Sequence, residues 1–310
     1  MPIKIDDDLP ARSVLENEHI FVMTQTRALS QDIRPLKIVI LNLMPLKIET
    51  ETQILRRLSN TPLQLEITLL KTTTHNAVHV PGDHMLSFYQ TFDEIKSENF
   101  DGMIITGAPV ELMEYEEVEY WEELCRIMKW SREHVHSTFH ICWGAQAGLY
   151  YHYGIPKYIL KEKLSGVYRH HLIDNRPRLF RGFDDVFYVP HSRNTEVRAE
   201  DISKVPDLRI MAVSEEAGVY VVGSRDNSQF FVMGHSEYDK DTLKREYLRD
   251  QKRGLNPHIP QHYFPDDDPA REPVMTWAAH SEWIFSNWIN YYVYQTTPYE
   301  LKNGVFIPAD

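Results

Sequence analysis

Only two cysteines, Cys125 and Cys142, occur in 310 residues, which excludes a disulfide-stapled fold and leaves Cys142 to be read as a free thiol. No apolar run approaches the length of a membrane span, and the start from Met1 to Pro10 is polar and acidic rather than a signal sequence. A cytoplasmic location without a membrane partner is expected. Positive charge is also short: the net charge is −12, and the lysines and arginines are scattered, so there is no footprint for nucleic acid. No glycine-rich phosphate loop follows the first strand, where Asn42-Leu43-Met44-Pro45 stands instead. His134, His136, His140 and Cys142 could be drawn as a metal cluster, since alternate strand residues share a face, but no ligand pair recurs at metal spacing elsewhere, and neither a metal nor a permanently bound cofactor is expected.

What remains is an ordinary globular composition, 42% hydrophobic and 25% charged. Residues 1–34 read as an arm, with a short helical pattern near Ala11 to Glu18 and then Ile20-Phe21-Val22-Met23. Lys37 to Leu43 is a near-continuous apolar run, as expected of a strand covered on both faces. Helical spacing over Ile48 to Leu58 and a strand over Leu65 to Leu70 complete a βαβ unit. A helix is predicted over Tyr89 to Asn99, a strand over Gly102 to Thr106, and a long helix over Tyr115 to His134 whose stripe includes Cys125. After residue 156, strand-like pieces at Tyr158 to His171, Asp185 to Val189, Leu208 to Val213, Gly218 to Val222 and Gln229 to Met233 suggest added or antiparallel strands at one edge. Asp241 to Arg253 reads as a charged amphipathic helix, residues 254–273 as a loop, and Thr276 to Tyr294 as an aromatic core helix. The fold class is therefore α/β, a mostly parallel sheet with helices on both faces, added edge strands and the N-terminal arm, with residues 35–310 forming one domain.

Two stretches carry chemistry. In Val135 to Gly148, a β-branched and aromatic run ends in Cys142 and small residues follow at once, which predicts a strand, a sharp turn and a helix with the cysteine on the elbow. Such an elbow aims the first N–H groups of the helix near the sulfur, where they favour a thiolate and later an oxyanion. About ninety residues on, the strand Gln229 to Met233 runs out at Gly234, leaving His235 and Glu237 two apart on the same side of an extended chain. Cysteine attack on a carbonyl needs an imidazole to take the proton and a carboxylate to fix its tautomer. Cys142, His235 and Glu237 are the candidate catalytic set.

The elbow with His-x-Glu is similar to the class I glutamine amidotransferases, which display a Cys-His-Glu triad on a flavodoxin-like sheet, although His140 stands where that family usually has glycine. The whole chain more closely resembles the homoserine O-acyltransferases of methionine biosynthesis, a branch of that fold. The matching segments are Leu43 to Glu51, Thr106 to Glu111, His140 to Gln146, Val189 to Arg193 and Gly234 to Tyr238. The resemblance implies acyl transfer from a coenzyme A thioester to L-homoserine, with Cys142 as acyl-thioester nucleophile, His235 as proton acceptor and Glu237 as third member. It also implies that Lys47, Lys163, Ser192 and Arg249 lie around the substrates, and that the chain is a homodimer. By fold analogy the oxyanion donors are the N–H of Trp143 and one from the Gly107-Ala108 turn.

In the family, position 111 separates acetyl-using members, which carry glutamate, from succinyl-using members, which carry glycine. An anionic Glu111 repels a succinyl carboxylate and fills its space, so acetyl-CoA is the expected co-substrate. A succinyltransferase, a glutaminase-type hydrolase and a non-catalytic protein with Cys142 as redox sensor are the rival readings.

Overall fold

Leu36–Leu41 (β3) is buried at five of six positions and Phe100–Ile105 (β6) at all six, the pattern of strands with both faces covered. A computed structural model describes residues 3–6, 8–18, 23–24, 35–74, 82–173, 177–297, 299–302 and 305–308. The chain divides into two compact units: residues 1–106, 119–139 and 285–310, and residues 107–118 and 140–284.

In the first unit, β3 leads through an α-helix at Lys47–Leu58 (α2) to a parallel strand at Leu65–Leu70 (β4), in the register Ile38 to Ile67 and Leu41 to Leu70. This is the βαβ unit read from the sequence. β6 joins β3 on its other side, also parallel. Within the expected arm, Ile3–Ile5 (β1) pairs in parallel with β4 and with Met23–Thr24 (β2), and Ala11–Asn17 (α1) is helical. Ile20, Phe21 and Val22 lie outside the described residues. The strand order is β2-β1-β4-β3-β6-β7, β7 being Val135–Ile141. The boundary between the units falls inside β7, between Phe139 and His140.

Two helix boundaries differ from the sequence reading. Over Tyr89 to Asn99 the chain first forms a two-residue strand, Tyr89–Gln90 (β5), parallel to β4, and only then a short helix at Phe92–Ile95 (α4). Thr91 is the reason: its capping box with Glu94 starts a new helix and separates it from the strand. A further helix at Gly82–Phe88 (α3) precedes β5. The long helix over Tyr115 to His134 is also two pieces, a 3₁₀ turn at Tyr115–Glu117 and an α-helix at Trp121–His134 (α5), because Val118 takes an extended conformation. In α5, Glu122 and Glu123 occupy the first turn and Arg132 and His134 the last, matching the helix dipole.

After residues 107–118, the second unit continues with the end of β7, Cys142 and an α-helix at Trp143–Tyr153 (α6). Gly154 ends that helix in the left-handed conformation, where glycine has no steric cost. Tyr158–Leu172 (β8), Phe187–Glu196 (β9), Leu208–Ser214 (β10), Gly218–Ser224 (β11) and Gln229–Val232 (β12) then pair antiparallel. Ala145 and Leu149 of α6 bury against Val219 and Val222 of β11 and Phe231 of β12. A four-residue helix, Ala199–Ile202 (α7), and the charged helix Thr242–Lys252 (α8) complete the elements nearest the site. Ala278–Trp288 (α9) continues as a π-helix over Ile289–Tyr294, and a hairpin at Tyr299–Lys302 (β13) and Val305–Pro308 (β14) follows, which no sequence pattern had marked.

Residues 254–273 return to the sheet at Gln261, whose N–H donates to Ser165 O at 2.9 Å while Val167 N–H donates to Gln261 O at 2.9 Å. Gly166 lies between them, and a Cβ there would stand 2.4 Å from Gln261 O. Backbone cannot yield as a flexible side chain can, so Gly166→Ala is expected to destabilise the protein by roughly 1–3 kcal/mol. Thermal unfolding checks this, and an unchanged midpoint would contradict the packing of that segment.

Candidate active site

Cys142 sits between β7 and α6 with φ 51° and ψ −115°, a conformation that costs a non-glycine residue energy and that persists only where the surroundings impose it. Its N–H donates to Val232 O of β12 at 2.7 Å, and its carbonyl accepts from the N–H groups of Ala145 and Gln146. The turn is thus held from both sides. The elbow needs room: His140, fully buried, stacks on Phe231 with ring centroids 4.7 Å apart, and a Cβ at Gly148 would stand 2.8 Å from both rings. Gly148 is what accommodates a histidine at position 140.

The Gly107-Ala108 turn after β6 closes on the same sulfur-bearing side chain. A Cβ at Gly107 would be 3.3 Å from Cys142 Cβ and 3.6 Å from His235 Cε1. Ala108 and Trp143 are both buried, Trp143 opening the first turn of α6.

His235 follows the end of β12 by three residues, and its backbone N–H donates to Pro190 O of β9 at 2.8 Å. Its ring stacks on Tyr238 at 4.2 Å. Nδ1 lies 2.7 Å from Glu237 Oε1, and the ring and the Cys142 side chain flank the same Gly107 position. A carboxylate can only accept, so Nδ1 carries a proton and Nε2 is left for the sulfur. The structure therefore brings Cys142, His235 and Glu237 together in one chain of contacts, all three side chains buried.

Burial alone would lower the pKa of the His235 ring, but the negative charges of Cys142 and Glu237, and the hydrogen bond Nδ1 donates to Glu237, raise it well above 6.5. Its folded value exceeds its unfolded one, so the stability it lends is fully present below about pH 6.5 and is lost as pH rises through the folded value. Histidine ¹³C–¹⁵N resonances should accordingly show His235 protonated at neutral pH, with a lower titration midpoint in Cys142→Ala. A neutral imidazole at pH 7 in the unsubstituted protein would contradict this electrostatic picture.

Lys163, Ser192 and Arg249 converge on two carboxylates of α8 that the sequence reading did not single out. Ser192 Oγ donates to Glu246 Oε2 at 2.5 Å, and Tyr238, beneath the His235 ring, donates to Glu246 Oε1 at 3.0 Å. Lys163 Nζ lies 3.0 Å from Asp250 Oδ2 and 4.0 Å from Glu246 Oε2, while Arg249 binds Asp250 Oδ1 through Nε at 2.9 Å and Nη2 at 2.8 Å. Burial would raise the Asp250 pKa, but Lys163 and Arg249 keep it below the usual carboxylate value. Glu246 and Asp250 are four apart on one helix face, a spacing visible in sequence, yet any amphipathic polar face shows it. Lys163 sits where β8–β9 pairing lapses, between Ile159 and Leu164.

Arg193, within one of the segments quoted above, is 2% exposed and donates to the carbonyls of Thr195, at 2.6 Å, and Ala217. Lys47 belongs to the first unit, at the start of α2, where its Nζ donates to Asn42 O and burial lowers its pKa to about 8 against the raising effect of Glu51. No helix among the described residues is long and apolar enough to cross a membrane.

These elements define an α/β protein of the class I glutamine amidotransferase fold. A glutamine amidotransferase from Thermotoga maritima superposes with a TM-score of 0.55 at 11% identity, over 84% of this chain and 100% of that one. The profile of the homoserine O-succinyltransferase family matches residues 2–299, and the chain belongs to that family. It is 61% identical to a homoserine O-acetyltransferase of Acetivibrio thermocellus over 97% of this chain and 99% of that protein. It is 60% identical to the Clostridium novyi homoserine O-acetyltransferase over 97% and 100%.

Proposed function

We propose that the chain transfers the acetyl group of acetyl-CoA to the hydroxyl of L-homoserine, giving O-acetyl-L-homoserine and coenzyme A in methionine biosynthesis. The contact chain Cys142–His235–Glu237 is the observation that carries this reading. In the resting pair His235 Nε2 already holds the thiol proton, the Cys142 thiolate attacks the acetyl carbonyl, and coenzyme A leaves with that proton. His235, now neutral, takes the homoserine hydroxyl proton as the oxygen attacks the acyl-enzyme, and the cysteine sulfur departs as the thiolate beside the protonated ring. Both oxyanions fall to the N–H groups of Trp143 and Ala108.

The carboxylate of homoserine suits Arg249 in bidentate fashion, and its ammonium suits the carboxylates of Glu246 and Asp250, with Lys163 and Ser192 completing that end. Lys47 belongs to the same proposal as a substrate-binding cation. The family takes its name from succinyl transfer and the quoted relatives from acetyl transfer; Glu111 favours the second, because its charge opposes an acyl chain ending in a carboxylate. The cytoplasmic location expected from the sequence and the dimer implied by the resemblance belong to this reading too, and sedimentation tests the dimer. Intact-protein mass after mixing with acetyl-CoA tests the chemistry: one acetyl adduct, mapping to Cys142, is expected and should discharge on addition of homoserine. A protein that turns over without any adduct would refute the two-step route.

A further inference from the structure

The turn that carries His235 ends in an aromatic ring. Tyr238 N–H donates to His235 O at 3.2 Å, closing a four-residue turn that lays the phenol ring against the imidazole, with centroids 4.2 Å apart and planes 17° apart. That turn is anchored without help from the phenol oxygen of Tyr238. The hydroxyls of Tyr220 and Ser236 share a hydrogen bond at 2.7 Å, Ser281 Oγ donates to Ser236 O, and Trp277 Nε1 donates to Tyr238 O at 3.0 Å. The Tyr238 ring packs with Leu243, Tyr263 and Trp277 and is 4% exposed.

The hydroxyl of Tyr238 serves another partner. It donates to Glu246 Oε1 at 3.0 Å while Ser192 Oγ donates to Oε2 at 2.5 Å, so each oxygen of the carboxylate is held by a neutral donor, and Lys163 Nζ stands off at 4.0 Å from Oε2. Burial and the charges of Glu246, Glu237 and Cys142 raise the Tyr238 pKa well above the ordinary tyrosine value, so the phenol keeps its proton and remains a donor. A carboxylate oxygen accepts more than one hydrogen bond, which leaves Glu246 capacity for an incoming ammonium. One side chain thus touches the imidazole with its face and the carboxylate with its hydroxyl, and its rigid ring fixes the separation between them.

We propose that Tyr238 is a positioning residue that sets the acceptor against the base: by holding Glu246 it fixes where the ammonium of homoserine sits, and by stacking on His235 it fixes the imidazole that must reach the hydroxyl of the same molecule. The inference rests on the acyl-transfer reading. It assigns the phenol hydroxyl to the second half-reaction alone, because acetylation of Cys142 needs the imidazole and the sulfur but no ammonium site. In ping-pong kinetics kcat/KM for each substrate reports its own half-reaction, so the two are read separately.

The test is Tyr238→Phe in the full-length protein, which removes the hydroxyl and keeps the ring. The kcat/KM for homoserine is expected to fall by about 10- to 100-fold, the worth of one hydrogen bond to a charged group, while kcat/KM for acetyl-CoA changes by less than about threefold. Both constants come from one sample, so their ratio is insensitive to partial loss of folded protein. With γ-hydroxybutanoate as acceptor, which is homoserine without its amine, the same substitution should cost less than about threefold, since no ammonium engages Glu246. Tyr238→Leu, which removes the ring as well, should lower both constants, that for acetyl-CoA by about 2- to 10-fold. Equal losses in the two constants of Tyr238→Phe, as a merely structural role would give, would overturn the proposal. So would an unchanged constant for homoserine, an equal loss with γ-hydroxybutanoate, or a Tyr238→Leu protein whose constant for acetyl-CoA is intact. Failure of acetyl-CoA to acylate Cys142 in the unsubstituted protein would instead overturn the acyl-transfer reading itself.

Discussion

Cys142→Ala is expected to lower acetyl transfer by at least about 10⁴-fold, equivalent to roughly 5.5 kcal/mol of lost transition-state stabilisation, because in the proposed route the Cys142 sulfur carries the acyl group between donor and acceptor. The folded protein should survive the change. Alanine keeps the Cβ and therefore the strain of φ 51°, ψ −115°, while the lost sulfur leaves only a small gap. Cys142→Gly goes further, since glycine adopts that region without the Cβ penalty; it should abolish turnover and leave stability level or higher by up to about 1 kcal/mol. Coenzyme A release and thermal unfolding on the same preparations separate the two effects. Retention of more than about 1% of activity in Cys142→Ala would exclude the cysteine as nucleophile.

Glu237→Gln should follow in size, with kcat down by about 10²–10⁴-fold. The carboxylate accepts a hydrogen bond from Nδ1 at 2.7 Å, which directs Nε2 to the sulfur and stabilises the imidazolium. An amide can turn its NH₂ toward Nδ1 and so favour the tautomer whose Nε2 already bears a proton and cannot accept another. The His235 titration midpoint should fall as well, because one of the two charges raising it is gone. A substitution that halves kcat and leaves the midpoint in place would reduce Glu237 to a packing role.

The elbow and the His-x-Glu pair were legible because both are local patterns. A strand that ends in cysteine and small residues has few alternatives, and residues two apart in an extended chain share a side whatever surrounds them. The helix expected over Tyr89 to Asn99 was misread for the complementary reason: β5 exists only because β4 offers it a partner, and two residues carry no periodicity of their own. Glu246 and Asp250 were passed over because a carboxylate on the polar face of a helix looks like solvated charge. The approach of Lys163, from 83 residues before Glu246, and of Ser192 makes it otherwise.

The amino-acid sequence by itself determined the α/β class, the strand-to-helix turn at Cys142, the adjacency of His235 to Glu237 and the resemblance that points to acyl transfer. These follow from periodicity, turn chemistry and short spacings, which neighbouring residues settle among themselves. Tertiary structure alone decided that His235 reaches Cys142, that α8 gathers Lys163, Ser192 and Arg249 on two carboxylates, and that Asn194 grips Glu111. Each of those contacts joins residues set by strand register and by the seating of a helix on a sheet, and the hydrogen bonds that fix them lie between partners remote along the chain.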